Sequence, residues 1–231
     1  MQTIGLLGGM SWESTQSYYA AINQGIKQHL GGLHSAKLVL YSVDFAEIEA
    51  LQQHGDWAAA AQILTRAAQS LQAAGADFLV IATNTMHKVA PDIQEHIRIP
   101  LLHIADATAQ VLQHQGVQKV GLLGTAFTME QAFYRERLEA QGIDVLVPNA
   151  AARAEVHRII YEELCLGHIN DASRSAYLQI IAELAERGAQ GVILGCTEIG
   201  LLVKQTDTRV PLYDTTAIHA AATVSRALAY Q

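Results

Sequence analysis

The chain carries one strand-and-turn pattern twice, in the same order. Ile4-Gly5-Leu6-Leu7-Gly8-Gly9 recurs as Val120-Gly121-Leu122-Leu123-Gly124-Thr125. Ala74-Gly75-Ala76-Asp77-Phe78-Leu79-Val80-Ile81-Ala82-Thr83-Asn84-Thr85 recurs as Arg187-Gly188-Ala189-Gln190-Gly191-Val192-Ile193-Leu194-Gly195-Cys196-Thr197-Glu198. Ile99-Pro100-Leu101-Leu102 has a looser counterpart in Arg209-Val210-Pro211-Leu212-Tyr213. The period is too long for a solenoid and suits two duplicated domains. Each long copy is a buried apolar run that ends in a small nucleophile-type residue, Thr83 in one and Cys196 in the other.

Around these copies, short apolar runs alternate with longer amphipathic ones. Strands are expected over residues 4–8, 38–43, 78–82, 101–104, 119–123, 145–147, 191–194 and 211–213. Segments 57–74, 130–141, 154–167 and 171–188 are rich in Ala, Gln, Glu and Leu and read as helices. Such alternation predicts a mostly parallel sheet covered by helices. The expected fold class is α/β, with two pseudo-symmetric duplicated open α/β domains and the active site in the cleft between them. The first domain is expected over 1–105 and the second over 106–214, with a C-terminal helix over about 215–231 packing back on the first.

Composition narrows the partners. The 231 residues are 50% hydrophobic, enough for a large core, and the net charge of −7 with no basic stripe argues against nucleic acid. No apolar stretch is long enough to span a membrane and no signal-peptide pattern opens the chain, so a soluble, cytoplasmic protein with a small-molecule partner is expected. Cys165 and Cys196 are too few for a disulfide framework and lack metal-ligand spacing.

Gly8-Gly9-Met10-Ser11-Trp12-Glu13-Ser14-Thr15 follows a strand and opens a helix, so its N–H groups could hold a carboxylate, or its glycines could simply serve a tight turn. The dinucleotide and P-loop spacings are absent. Cys196 falls at a strand-to-helix junction, where helix N–H groups and the dipole favour a thiolate, whereas Cys165 lies in a helical run and reads as core. His87 could polarise a substrate, orient a neighbour or be an ordinary helix residue. His157, His168 and His219 have no paired-ligand spacing and read as solvated or core residues. No lysine suggests a pyridoxal Schiff base, and no Ser sits in a nucleophile elbow. The chemistry is therefore expected to need neither cofactor nor metal.

Three segments together, Gly5-Leu6-Leu7-Gly8-Gly9-Met10-Ser11-Trp12-Glu13-Ser14-Thr15, Ala82-Thr83-Asn84-Thr85-Met86-His87 and Leu194-Gly195-Cys196-Thr197-Glu198, resemble the aspartate/glutamate racemase family over nearly the whole chain. The resemblance implies cofactor-independent isomerisation of an acidic amino acid. Two cleft cysteines would act as acid and base on the α-carbon, the second of them serving the L-enantiomer. That second cysteine is Cys196; Thr83 replaces the first. Met10, Gln52, Asn84, Thr85, Thr125 and Thr197 become the candidates for holding ammonium and carboxylate groups. Homodimers are common in the family.

Two departures shape the expectation. A Thr hydroxyl is a far weaker acid than a thiol and abstracts an α-proton poorly, so an L-side preference follows. Aspartate-specific relatives tend to carry a lysine where this chain has Cys165, which leaves His157, Arg158 or Lys88 to meet a side-chain carboxylate. Alternatives are a broad-specificity amino-acid racemase, a single-cysteine decarboxylase or isomerase of the superfamily, and a non-catalytic amino-acid-binding protein.

Overall fold

The computed structural model describes residues 1–229. The first part of the chain runs β1 (Ile4–Gly8), α1 (Trp12–Leu30), β2 (Leu38–Ser42), α2 (Phe45–His54), α3 (Trp57–Ala73), β3 (Phe78–Ile81), a 3-10 segment Thr85–Val89, α4 (Ala90–Glu95) and β4 (Leu101–Leu102). After α5 (Ile104–His114) come β5 (Lys119–Gly124), α6 (Ala126–Glu130), α7 (Ala132–Glu139), β6 (Asp144–Leu146) and α8 (Ala150–Glu162). A 3-10 turn Leu164–Leu166, α9 (Asp171–Glu186), β7 (Val192–Gly195), α10 (Ile199–Leu202), a 3-10 turn Gln205–Asp207, β8 (Leu212–Asp214) and α11 (Thr215–Leu228) complete the order.

The strands form two four-stranded sheets, β2-β1-β3-β4 and β6-β5-β7-β8. Every pairing is parallel. The inner strands β1, β3, β5 and β7 are buried almost throughout, as apolar runs covered on both sheet faces must be. Each sheet reverses its winding at the inner pair: β1 is followed by β2 on one side, then by β3 on the other. Loops at the carboxyl ends of such a pair border the crevice where open α/β sheets take ligands. Gly9 and Thr83 follow β1 and β3; Thr125 and Cys196 follow β5 and β7.

By internal contacts the chain divides into two compact units. One comprises Met1–Ile104 with the segment from His219 onward, the other Ala105–Ile218. In the first, one core joins Ile48, Leu64, Leu71, Leu79, Ile81 and Ile93, and a second joins Ile4, Leu6, Tyr18, Val80, Ala220 and Val224. In the second unit Leu123, Ile159, Ile181, Leu194, Cys196 and Ile199 share one core. Among the described residues no helix is long and apolar enough to cross a membrane.

Several boundaries differ from the sequence expectation. The helix expected over 130–141 breaks at Gln131, whose extended backbone separates α6 from α7. The helix expected over 154–167 starts earlier, where the Asn149 side chain accepts from Ala152 N–H, and ends at Glu162. Cys165 therefore sits in the following 3-10 turn, partly buried against the second unit's core. The strand expected over 101–104 is only Leu101–Leu102, because Ile104 already starts α5. The last two residues of the helix expected over 215–231 lie outside the described residues.

Candidate active site

At the end of β1, Gly9 has φ of 91°, and a Cβ there would lie 2.2 Å from the Val43 carbonyl oxygen. Only glycine fits. The Thr15 hydroxyl accepts from Gly9 N–H at 2.8 Å and donates to the Ser11 carbonyl at 2.8 Å, while Ser11 Oγ accepts from Ser14 N–H. The N–H groups of Gly9 and Ser14, which the sequence offered to a carboxylate, are thus consumed inside the turn. Met10 places its side chain in the hydrophobic core. The turn holds its neighbour as well: Ser14 Oγ donates to the Ala82 carbonyl at 3.0 Å, at the end of β3.

Thr83 follows directly and is half-buried. Its carbonyl accepts from His87 Nδ1 at 2.7 Å, and His87 Nε2 accepts from Ile104 N–H at 3.3 Å. A carbonyl can only accept, so the Nδ1–H tautomer of a neutral ring is required. His87 is a clamp on the Thr83 turn and has no ring nitrogen left for polarising a substrate. The ring packs on His103, centroids 4.5 Å apart, and on His219 at 5.8 Å. His219 Nε2 donates to the Leu102 carbonyl, and its Nδ1 accepts from the Tyr18 hydroxyl at 2.8 Å. Burial pushes the His219 pKa down to about 4, only partly offset by the Leu102 contact. Asn84 and Thr85 are buried beside Thr83, and buried Gln52 of α2 donates from Nε2 to Met86 Sδ at 2.9 Å.

In the second unit, buried Thr125 caps α6, its Oγ1 accepting from Thr128 N–H. His157 Nδ1 accepts from Ala126 N–H at 3.1 Å, and burial lowers this histidine's pKa against the opposing pull of Glu130. At the end of β7, Thr215 Oγ1 donates to the Leu194 carbonyl at 2.8 Å and fixes the strand just before the cysteine. The Cys196 thiol donates to Glu198 Oε2 at 3.0 Å, and Thr197 Oγ1 donates to the same oxygen at 2.6 Å. Cys196 and Glu198 are both buried.

This corrects the expectation of a thiolate favoured by a helix end. Helix α10 has only four residues and Glu198 occupies its N-cap, so the macrodipole is small. Burial pushes the Cys196 pKa well up, and the Glu198 and Cys165 charges push it further; a Glu198 N–H contact opposes them weakly. The resting group is a thiol facing a carboxylate. In the sequence Glu198 marks the motif around Cys196 but carries no role of its own. An acid two residues after a strand-end cysteine was the available signal.

The cations considered for a substrate side chain are already engaged. Arg158 meets Glu155, Glu162 and Glu163 at 2.8, 3.3 and 3.2 Å. Lys88 Nζ lies 4.0 Å from the Trp57 ring centroid, and partial burial lowers its pKa. His168 is exposed.

Two parallel α/β units, each with small polar residues at its switch-point strand ends and one with a thiol set on a buried carboxylate, define a duplicated α/β protein. A family model described as Asp/Glu/hydantoin racemase matches residues 7–223, and the chain belongs to that family; its relatives named as racemases are isomerases. The crystal structure of a candidate Asp/Glu racemase from Yersinia pestis is 60% identical, covering 99% of this chain and 100% of that one, with a TM-score of 0.93. That of an aspartate racemase homologue from Pyrococcus horikoshii OT3 is 36% identical over 98% and 99%, with a TM-score of 0.86. The broad specificity amino-acid racemase RacX of Bacillus subtilis (strain 168) is 29% identical over 164 residues, 71% of this chain and 70% of its own.

Proposed function

We propose that this chain is a cofactor-independent amino-acid racemase acting on L-aspartate or L-glutamate, with Cys196 the base on the L face of the α-carbon and Thr83 the partner on the other. The observation that carries the reading is the buried Cys196 thiol aimed at a buried carboxylate. A cysteine serving only as core would pack among apolar atoms and would not need an acid beside it.

The Thr83 hydroxyl donates or relays a hydrogen bond better than it removes a carbon-bound proton. Because the equilibrium constant between enantiomers is unity, net rates in the two directions must match at equilibrium. Isotope exchange need not match. Proton NMR in heavy water should therefore find α-hydrogen exchange on the L-enantiomer outpacing both racemisation and exchange on the D-enantiomer. Equal washout from both enantiomers would sink the asymmetric mechanism, and no exchange from any amino acid would sink the racemase reading.

A broader substrate range is a second reading, supported by the engagement of Arg158 with three carboxylates and by the likeness to a broad specificity racemase. Running the same exchange assay over acidic, neutral and basic amino acids separates the two.

A further inference from the structure

The geometry points to Glu198 as the acceptor of the Cys196 thiol proton, the group that turns a buried thiol into a base without drawing on bulk hydroxide. The inference rests on the racemase reading above and specifies how its L-side base is made. A buried thiol whose pKa is raised has almost no thiolate at neutral pH if its proton must go to solvent. Here the proton already points at Glu198 Oε2 across 3.0 Å, and Thr197 Oγ1 donates to the same oxygen. Moving the proton along that bond leaves one negative charge in the pair before and after. The shift therefore avoids the cost of creating a second buried charge.

The proton count closes. The S–H bond breaks with its electron pair staying on Sγ, and the proton forms an O–H bond on Glu198. The thiolate then takes the α-proton of the L-substrate, re-forming S–H and leaving the carbon's electron pair delocalised into the substrate carboxylate. The opposite face of the carbon takes a proton from the Thr83 hydroxyl or from water, and the proton that Glu198 then releases returns through water to the alkoxide or hydroxide so formed. The other titratable groups that bear on Cys196 are Cys165, in the 3-10 turn after α8, and Tyr177 of α9. Tyr177 donates to the Val156 carbonyl at 3.0 Å, and burial keeps it neutral. Glu198 is the one of these groups that touches the thiol with a charge-bearing oxygen.

An internal proton acceptor makes the active fraction of base independent of pH as long as the pair carries a single charge. Two rates test this: α-proton exchange on the L-substrate, and iodoacetamide alkylation followed at the Cys196 peptide by mass spectrometry, which needs no substrate. In the unaltered protein both should change by less than about twofold between roughly pH 6 and 8. In Glu198→Gln both should climb about tenfold per pH unit, and exchange near neutral pH should fall by about 10²–10⁴-fold. Glu198→Asp, which keeps the carboxylate, should restore the flat profile at a reduced rate.

A tenfold-per-unit slope in the unaltered protein overturns the proposal. So does a flat profile in Glu198→Gln, or a slope in Glu198→Asp as steep as in Glu198→Gln. Circular dichroism checks that the variants fold, and if Glu198→Gln does not, the unaltered protein and Glu198→Asp decide. A flat alkylation profile without exchange on any amino acid would instead remove the racemase reading and leave the proton path standing.

Discussion

The turns after β3 and β7 are copies of one another, and they handle their central residue differently. After β3, the side chain four residues past Thr83 is His87, and it grips the Thr83 backbone carbonyl. After β7 the corresponding residue is Gly200, where a Cβ would lie 2.9 Å from Asp214 Oδ2. Glycine brings no side chain to act as a clamp. The position two residues on is neutral Thr85 in the first copy and Glu198 in the second, and Glu198 addresses the Cys196 side chain. In one turn a side chain holds backbone; in the other a side chain meets a thiol. The half with the strand-end thiol also has an acid beside it, and the half with Thr83 has a histidine committed to holding its loop.

The sharpest way to break that contrast is Cys196→Ala. Exchange on L-substrates should fall by roughly 10⁴-fold, toward background, since the base itself is gone. A pure binding protein would instead keep its affinity and show no exchange before or after, which calorimetry with L-aspartate would reveal. Making the halves alike is the next test. Thr83→Cys should raise racemisation by about 10²–10⁴-fold, with D-to-L turnover gaining most. No gain would mean that a thiol without a carboxylate at the Thr85 position is not enough.

A third test concerns stability and the first unit's histidines. His219 has a pKa of about 4 when folded against the ordinary 6.5, so the unfolded chain binds its proton first as pH falls. Stability should hold above about pH 6.5 and drop by about 3 kcal/mol as the pH goes from there to about 4, with no further loss from this group below. His219→Gln should flatten that part of a urea-unfolding profile; an unchanged slope would assign it elsewhere. On exchange rates, the smallest expected effect is that of His87→Ala. Removing the clamp should cost about 1–3 kcal/mol for each backbone group it strands. It should slow D-side exchange more than L-side exchange, and equal slowing would mean that the clamp serves the fold alone.

Much of the architecture is legible without coordinates. The eight strand positions stand out because parallel strands buried on both faces need continuous apolar runs. The duplication marks which strand ends correspond. Boundaries set by side-chain chemistry read less well: the Asn149 cap moves the start of α8, and Gln131 interrupts what composition presents as one helix. At the site, Thr83 and Cys196 are visible as paired positions, but His87 reads equally as catalytic, orienting or inert until its two ring contacts are seen.

The sequence by itself determined the α/β class, the two copies, and which residues occupy the turns after β3 and β7. Those follow from periodicity and order along the chain, which local propensity and burial of apolar runs are enough to impose. The tertiary structure alone decided the electrostatics. A strand-end cysteine suggests a thiolate from its position, yet Cys196 rests as a thiol because packing strips its water and turns Glu198 Oε2 toward it. Desolvation and the direction of a side chain depend on atoms distant in sequence, so the upward push on the Cys196 pKa comes from the fold and not from the residue's place in the sequence.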